Sequence, residues 1–165
     1  MPDRKTLERA RKDARQGKAP STQAGEFVRE EIEHVRQGKH GARSAKQAIA
    51  IGLSKARRAG VDLAPPKKGK SSEKVRKQAM RDYTVGRKSP GRAPSTKRSR
   101  ATESALQREG GQAASHAALS RQARASAGSR GAADRSLAAR KAIRAKGKAG
   151  LSKAAKKAAR TRAKG

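Results

Sequence analysis

The 165-residue chain has no cysteine, no tryptophan and no asparagine, and its only aromatic residues are Phe27 and Tyr83. The lack of thiols excludes disulfides, thiolate catalysis and cysteine–zinc sites. So few aromatics leave little for a large apolar core, and little on which bases can stack. No apolar run approaches the ~20 residues that cross a bilayer, so no membrane span is expected. The segment Met1-Pro2-Asp3-Arg4-Lys5 has none of the apolar stretch of a secretory signal. A cytoplasmic location is the expectation that follows.

Acidic residues are also scarce: 13 against 44 lysines and arginines, for a formal net charge of +31. A folded chain with this charge repels itself at low salt. A polyanion relieves the repulsion, and the counterions it releases supply favourable entropy. DNA is the first expected partner and RNA the second, and DNA binding places the protein on the nucleoid.

The charge is uneven. Residues 1–66 carry 15 basic and 8 acidic residues, whereas residues 67–165 carry 29 and 5. The break falls at Ala64-Pro65-Pro66-Lys67-Lys68-Gly69-Lys70, where two prolines cannot continue a helix. Four regions follow: a small helical module over 1–63, a Pro/Lys linker over 64–70, an isolated helix over 71–84 and a basic tail over 85–165. The expected fold class is mostly α, a small and marginal helical hairpin followed by a largely disordered, helix-prone Lys/Arg/Ala-rich tail.

Within the module, residues 3–16 form a charged helix candidate. Its one large apolar side chain, Leu7, gives it little reason to pack. Residues 22–37 are amphipathic: Ala24, Phe27, Val28, Ile32 and Val35 share an arc of about 140°. Glu31 intrudes on that arc, while Glu26, Glu30 and Glu33 lie opposite, and the four together read as a solvated face. This is the one acidic cluster, and it is a candidate to pair with the basic tail when no nucleic acid is bound. Residues 44–59 have the clearest boundaries. Ser44 and Gln47 stand at capping-box spacing, and Gly60 suits the position just past a helix end. Ala45, Ala48, Ile49, Gly52, Leu53, Ala56 and Ala59 share one face of small side chains. That face can pair with the preceding helix, with a second copy of the chain or with another protein.

The tail offers three helix-prone stretches, 113–126, 132–146 and 151–164, each with at most one or two large apolar anchors. Alanine, lysine and arginine favour helix locally, but the composition is that of disorder. No fixed internal period is present.

Two stretches resemble known proteins. Ser44-Ala45-Lys46-Gln47-Ala48-Ile49-Ala50-Ile51-Gly52-Leu53-Ser54-Lys55-Ala56-Arg57-Arg58-Ala59-Gly60 resembles a motif of small basic bacterial proteins in a domain family with no assigned function. The resemblance implies a bacterial, DNA-associated protein and names no catalytic residue. The tail resembles the Lys/Ala-rich carboxyl-terminal domains of linker histones and bacterial histone-like proteins, but the chain lacks the winged-helix core of a linker histone.

The residues expected to meet phosphates fall in five groups. Lys46, Lys55, Arg57 and Arg58 flank the third helix. Lys67, Lys68 and Lys70 follow the prolines. Arg87, Lys88, Arg92, Lys97, Arg98 and Arg100 make the third group, and Arg140, Lys141 and Arg144 the fourth. Lys153, Lys156, Lys157, Arg160, Arg162 and Lys164 complete the set. Lys88-Ser89-Pro90-Gly91-Arg92-Ala93-Pro94 approaches a minor-groove hook, but Ala93 separates the Arg and Pro that such a hook joins. His34, His40 and His116 are scattered and are read as lacking a helical carboxylate partner at metal-ligand spacing. No catalytic residues, metal or cofactor are therefore expected, and the chain reads as a non-enzyme.

Overall fold

In the computed structural model, residues 2–91 and 95–163 are described, and every regular element among them is helical. The helices are α1 (Arg4–Arg15), α2 (Pro20–Arg36), α3 (Ala45–Arg58), α4 (Glu73–Lys88), α5 (Thr96–Gln107), α6 (His116–Gly128) and α7 (Ala132–Arg162), with a short 3-10 turn at Gly111–Ala114 before α6. The expected mostly-α class is what the structure has. Residues 1–122 form one compact unit and residues 123–165 another.

Local chemistry sets the boundaries of the first three helices. Pro20 opens α2, where its missing N–H costs nothing because that donor has no partner within the helix. Ser44 caps α3, its hydroxyl accepting from the Gln47 amide at 3.2 Å. The Gln47 side chain reaches back to the Arg43 N–H at 2.9 Å, one residue earlier than a standard capping box. The end of α3 closes on a Schellman motif: Val61 N–H donates to Ala56 C=O and Gly60 N–H to Arg57 C=O. Gly60 takes φ +93° there, a left-handed conformation that is cheap only without a Cβ.

Alanine supplies most of the core, so the helices come close together. One cluster joins Ala10 of α1, Ala24 and Phe27 of α2 and Ala56 of α3, with Leu7, Leu53, Val61 and Leu63 packed around it. A second joins Val35, Ala42, Ala48, Ala113 and Ala114, with Ile32 against it. Helix α2 packs on both α1 and α3, and α3 packs on α4. The crossings need glycine. A Cβ on Gly52 would sit 2.6 Å from the Val28 Cα, and one on Gly86 would collide with the Arg57 carbonyl.

Several expectations change. Helix α1 buries Thr6, Ala10 and Asp13, so it packs despite having only one large apolar residue. The helix expected to be isolated over 71–84 runs on to Lys88 and docks on α3. There Asp82 is 3 % exposed and accepts from the Ser54 hydroxyl at 2.6 Å. The tail expected to be disordered over 85–165 contains α5, α6 and α7. The physical reason is that helical hydrogen bonds are local, and Ala, Lys and Arg support them without a core. Part of that region also packs: Ala113 and Ala114 of the 3-10 turn are buried against α2 and α3, and Gly41 and Ala42 donate backbone hydrogen bonds to Leu106 and Gly110. In the second unit, α7 turns sharply at Gly147, which has φ +61°.

Candidate nucleic-acid interface and a buried carboxylate–histidine cluster

Helix α7 concentrates the positive charge. Its residues Ala132–Arg162 include eleven lysines and arginines and a single acid, Asp134. Arg140, Lys141, Arg144, Lys153, Lys156, Lys157, Arg160 and Arg162 are all exposed. Lys153, Lys156, Lys157 and Arg160 stand at i, i+3, i+4 and i+7, so they form one stripe past the Gly147 kink. Like charges at that spacing cost a helix about 0.2–0.5 kcal/mol per pair. Among the described residues, no carboxylate pairs with an α7 cation.

The remaining expected contacts divide. Lys46, Lys67, Lys68, Lys70, Arg87, Lys88, Lys97, Arg98 and Arg100 are exposed. Arg87 is already engaged, lying 5.7 Å over the Tyr83 ring and donating to the Tyr83 hydroxyl at 3.2 Å. That hydroxyl in turn donates to Asp62. Arg58 is half-buried. Arg92 and Lys164 lie outside the described residues, as do Ala93 and Pro94 of the hook-like segment.

Two residues of the third-helix group are committed to partners within the fold. Arg57 is 7 % exposed. Its guanidinium donates to the Leu63 carbonyl at 3.1 Å and the Ala64 carbonyl at 3.4 Å, so it anchors the chain that leaves α3. Burial lowers its pKa, and the nearby Asp82 carboxylate partly restores it. Lys55 turns inward, with its Nζ 2.6 Å from Oε2 of Glu31 and 3.6 Å from Oε1 of Glu30.

The acidic cluster of α2 divides: Glu33 is exposed as expected and Glu26 is half-buried, but Glu30 and Glu31 are not solvated. Glu30 and Glu31 are 2 % and 0 % exposed. Glu30 accepts from the Asp3 backbone N–H at 3.1 Å. Glu26 and Glu33 pair with arginines of α1 and α2, Glu26 with Arg9 and Arg29 and Glu33 with Arg29. Nε2 of His40 lies 3.1 Å from Oε1 of Glu31, and Nε2 of His34 lies 3.4 Å from a carboxylate oxygen of Asp3. The two imidazole rings meet edge to face at 6.0 Å between centroids. Glu31, His34 and His40 each bring a ligand-type atom within 4.8 Å of the other two, and so do Asp3, Glu30 and His34. A cavity of about 420 Å³ opens onto Glu31, His34, His40 and Lys55.

The reading of the histidines as scattered is thus corrected. Glu31 precedes His34 by three residues and Glu30 precedes it by four, and both spacings put carboxylate and imidazole on one helix face. That signal was in the sequence. What it did not contain was the turn after α2, which brings His40 back alongside.

Residues 15–68 match the model of a family of unknown function, DUF6496. The match runs from the end of α1 through α2 and α3 to the residues after the two prolines. It includes Glu31, His34, His40 and Lys55, and leaves out Asp3 and all of α4 to α7. No curated protein and no solved structure matches the chain. No helix among the described residues is long and apolar enough to cross a membrane.

Proposed function

We propose that this protein is a non-catalytic nucleic-acid binder that grips the phosphate backbone largely without sequence readout. DNA is its principal ligand, and its role is histone-like or architectural on the nucleoid. One observation carries the reading: the sequence of α7 has eleven lysines and arginines against one acid, and among the described residues no carboxylate pairs with them. Duplex DNA offers one charge per ~1.7 Å of axis, and neutralising it releases condensed counterions. The same contact removes the like-charge cost along the Lys153–Arg160 stripe. The likeness of the tail to linker-histone tails, and of residues 44–60 to a motif of small basic bacterial proteins, points the same way.

The test is a salt series with the full chain on duplex DNA and on structured RNA. A full-length variant with Arg140, Lys141, Lys153, Lys156, Lys157 and Arg160 changed to Gln is measured alongside. Each phosphate contact contributes about −0.9 to the log–log slope, so the six changes should flatten it by about 5. An affinity for DNA indifferent to salt, or a variant with the native slope, refutes the proposal. Much tighter binding to RNA than to duplex DNA reassigns the ligand.

A further inference from the structure

We propose that Glu31, His34 and His40 form a binding site for a divalent metal of the zinc class. The argument begins with charge. Glu30 and Glu31 are two carboxylates at 2 % and 0 % exposure, and one ammonium, Lys55, reaches them. Oε1 of Glu30 and both carboxylate oxygens of Glu31 are buried and have ion-pair neighbours but no aligned hydrogen bond. Two buried carboxylates thus share one ammonium, and burying an ionised carboxylate is costly unless a cation or donor compensates it.

The groups beside that charge are metal ligands. The side chains of His34 and His40 are each 13 % exposed, held against α2 and away from bulk solvent. Oε1 of Glu31 and Nε2 of His40 are 3.1 Å apart. Two ligands bound tetrahedrally to zinc at ~2.0–2.1 Å stand about 3.3 Å from each other, so a shared ion needs only a small adjustment. The ligand-type atoms of all three residues already lie within 4.8 Å. Two imidazoles and one carboxylate, in a chain without thiols, suit zinc, with cobalt as its spectroscopic substitute. The 420 Å³ cavity gives the ion its way in and leaves a coordination position for water. Asp3 and Glu30 form the second layer around His34, the place where carboxylates commonly fix a ligating imidazole.

The site joins α2, which carries Glu31 and His34, to the turn that carries His40. A bound ion therefore clamps that turn, whose backbone also holds Leu106 and Gly110.

The experiment titrates the untagged full chain with Zn²⁺ by calorimetry and with Co²⁺ by visible absorption. One equivalent should bind, with the intense visible bands of four-coordinate cobalt, and the melting temperature should rise by roughly 5 °C or more. His40→Ala and Glu31→Gln should abolish both signals. Because either change can weaken the fold, His40→Cys is the decisive variant: it should bind cobalt and add a sulfur-to-metal charge-transfer band in the near ultraviolet. His116→Ala, at an exposed position outside the cluster, should bind as the native chain does. Failure of the native protein to bind, retention of binding in His40→Ala, a His40→Cys complex without the sulfur band, or loss of binding in His116→Ala overturns the assignment. None of these outcomes depends on nucleic acid, so the site and the function proposed above stand or fall separately.

Discussion

Replacing Lys55 by Met separates a structural role for the ammonium from a phosphate-binding one. Lys55 Nζ sits 2.6 Å from Oε2 of Glu31, whose side chain is 1 % exposed, while the lysine side chain keeps 26 % of its surface. Methionine fills a similar volume without charge and leaves two carboxylates buried with no ammonium. Removing one partner of a buried pair typically costs 3–5 kcal/mol. The partial exposure of Lys55 places this case at the lower end, about 3 kcal/mol. With a urea m-value of about 1.5 kcal/mol/M, the unfolding midpoint should fall by about 2 M. The assay is urea unfolding followed by far-ultraviolet circular dichroism, in chelator so that no metal compensates. The double change Glu31→Leu with Lys55→Met removes both charges and should recover most of the loss. A Lys55→Met midpoint within about 0.5 M of native, or a double variant as unstable as the single one, would show that Glu31 is compensated by other groups and would refute the reasoning.

Two further predictions concern residues whose role the fold reassigned. Arg57→Gln should leave the salt dependence of DNA binding unchanged, because the guanidinium is committed to the Leu63 and Ala64 carbonyls. It should cost about 1–3 kcal/mol of stability by leaving those acceptors and Asp82 without it, which the same urea titration measures. Gly86→Ala should destabilise by about 1–3 kcal/mol, because its Cβ meets the Arg57 carbonyl where α3 and α4 cross. Gly25→Ala, in the exposed interior of α2 with nothing within 4 Å, should instead stabilise by about 0.5–1 kcal/mol through helix propensity. Thermal melts of the pair give opposite signs if the crossing is as close as described.

The two carboxylates of α2 show how far periodicity reaches. The 3.6-residue repeat correctly placed Glu31 among the apolar residues of α2. It put Glu30 on the far side because it considered only the contact with α3. Asp3, at the start of α1, then covers Glu30, and that contact spans 27 positions in sequence. Arg57 and Lys55 misled in the same way. A basic flank on an amphipathic helix reads as a solvated face, until α4 and the chain leaving α3 close over Arg57 and the α2 carboxylates draw Lys55 inward.

The chain alone determined the elements governed by short-range rules. These are the caps at Ser44 and Gly60, the small-residue face of α3 and the helical bias of the tail, because each depends on neighbours within a few positions. It also determined the density of positive charge that any polyanion would meet. Tertiary structure decided which charges face water and which face each other. It buried Glu30, Glu31 and Arg57, turned Lys55 inward, brought His40 beside His34 and gave Ala113 and Ala114 a core to enter. Burial of an ionised side chain is set by distant segments that replace its water, and no local pattern of residues encodes which segments those will be.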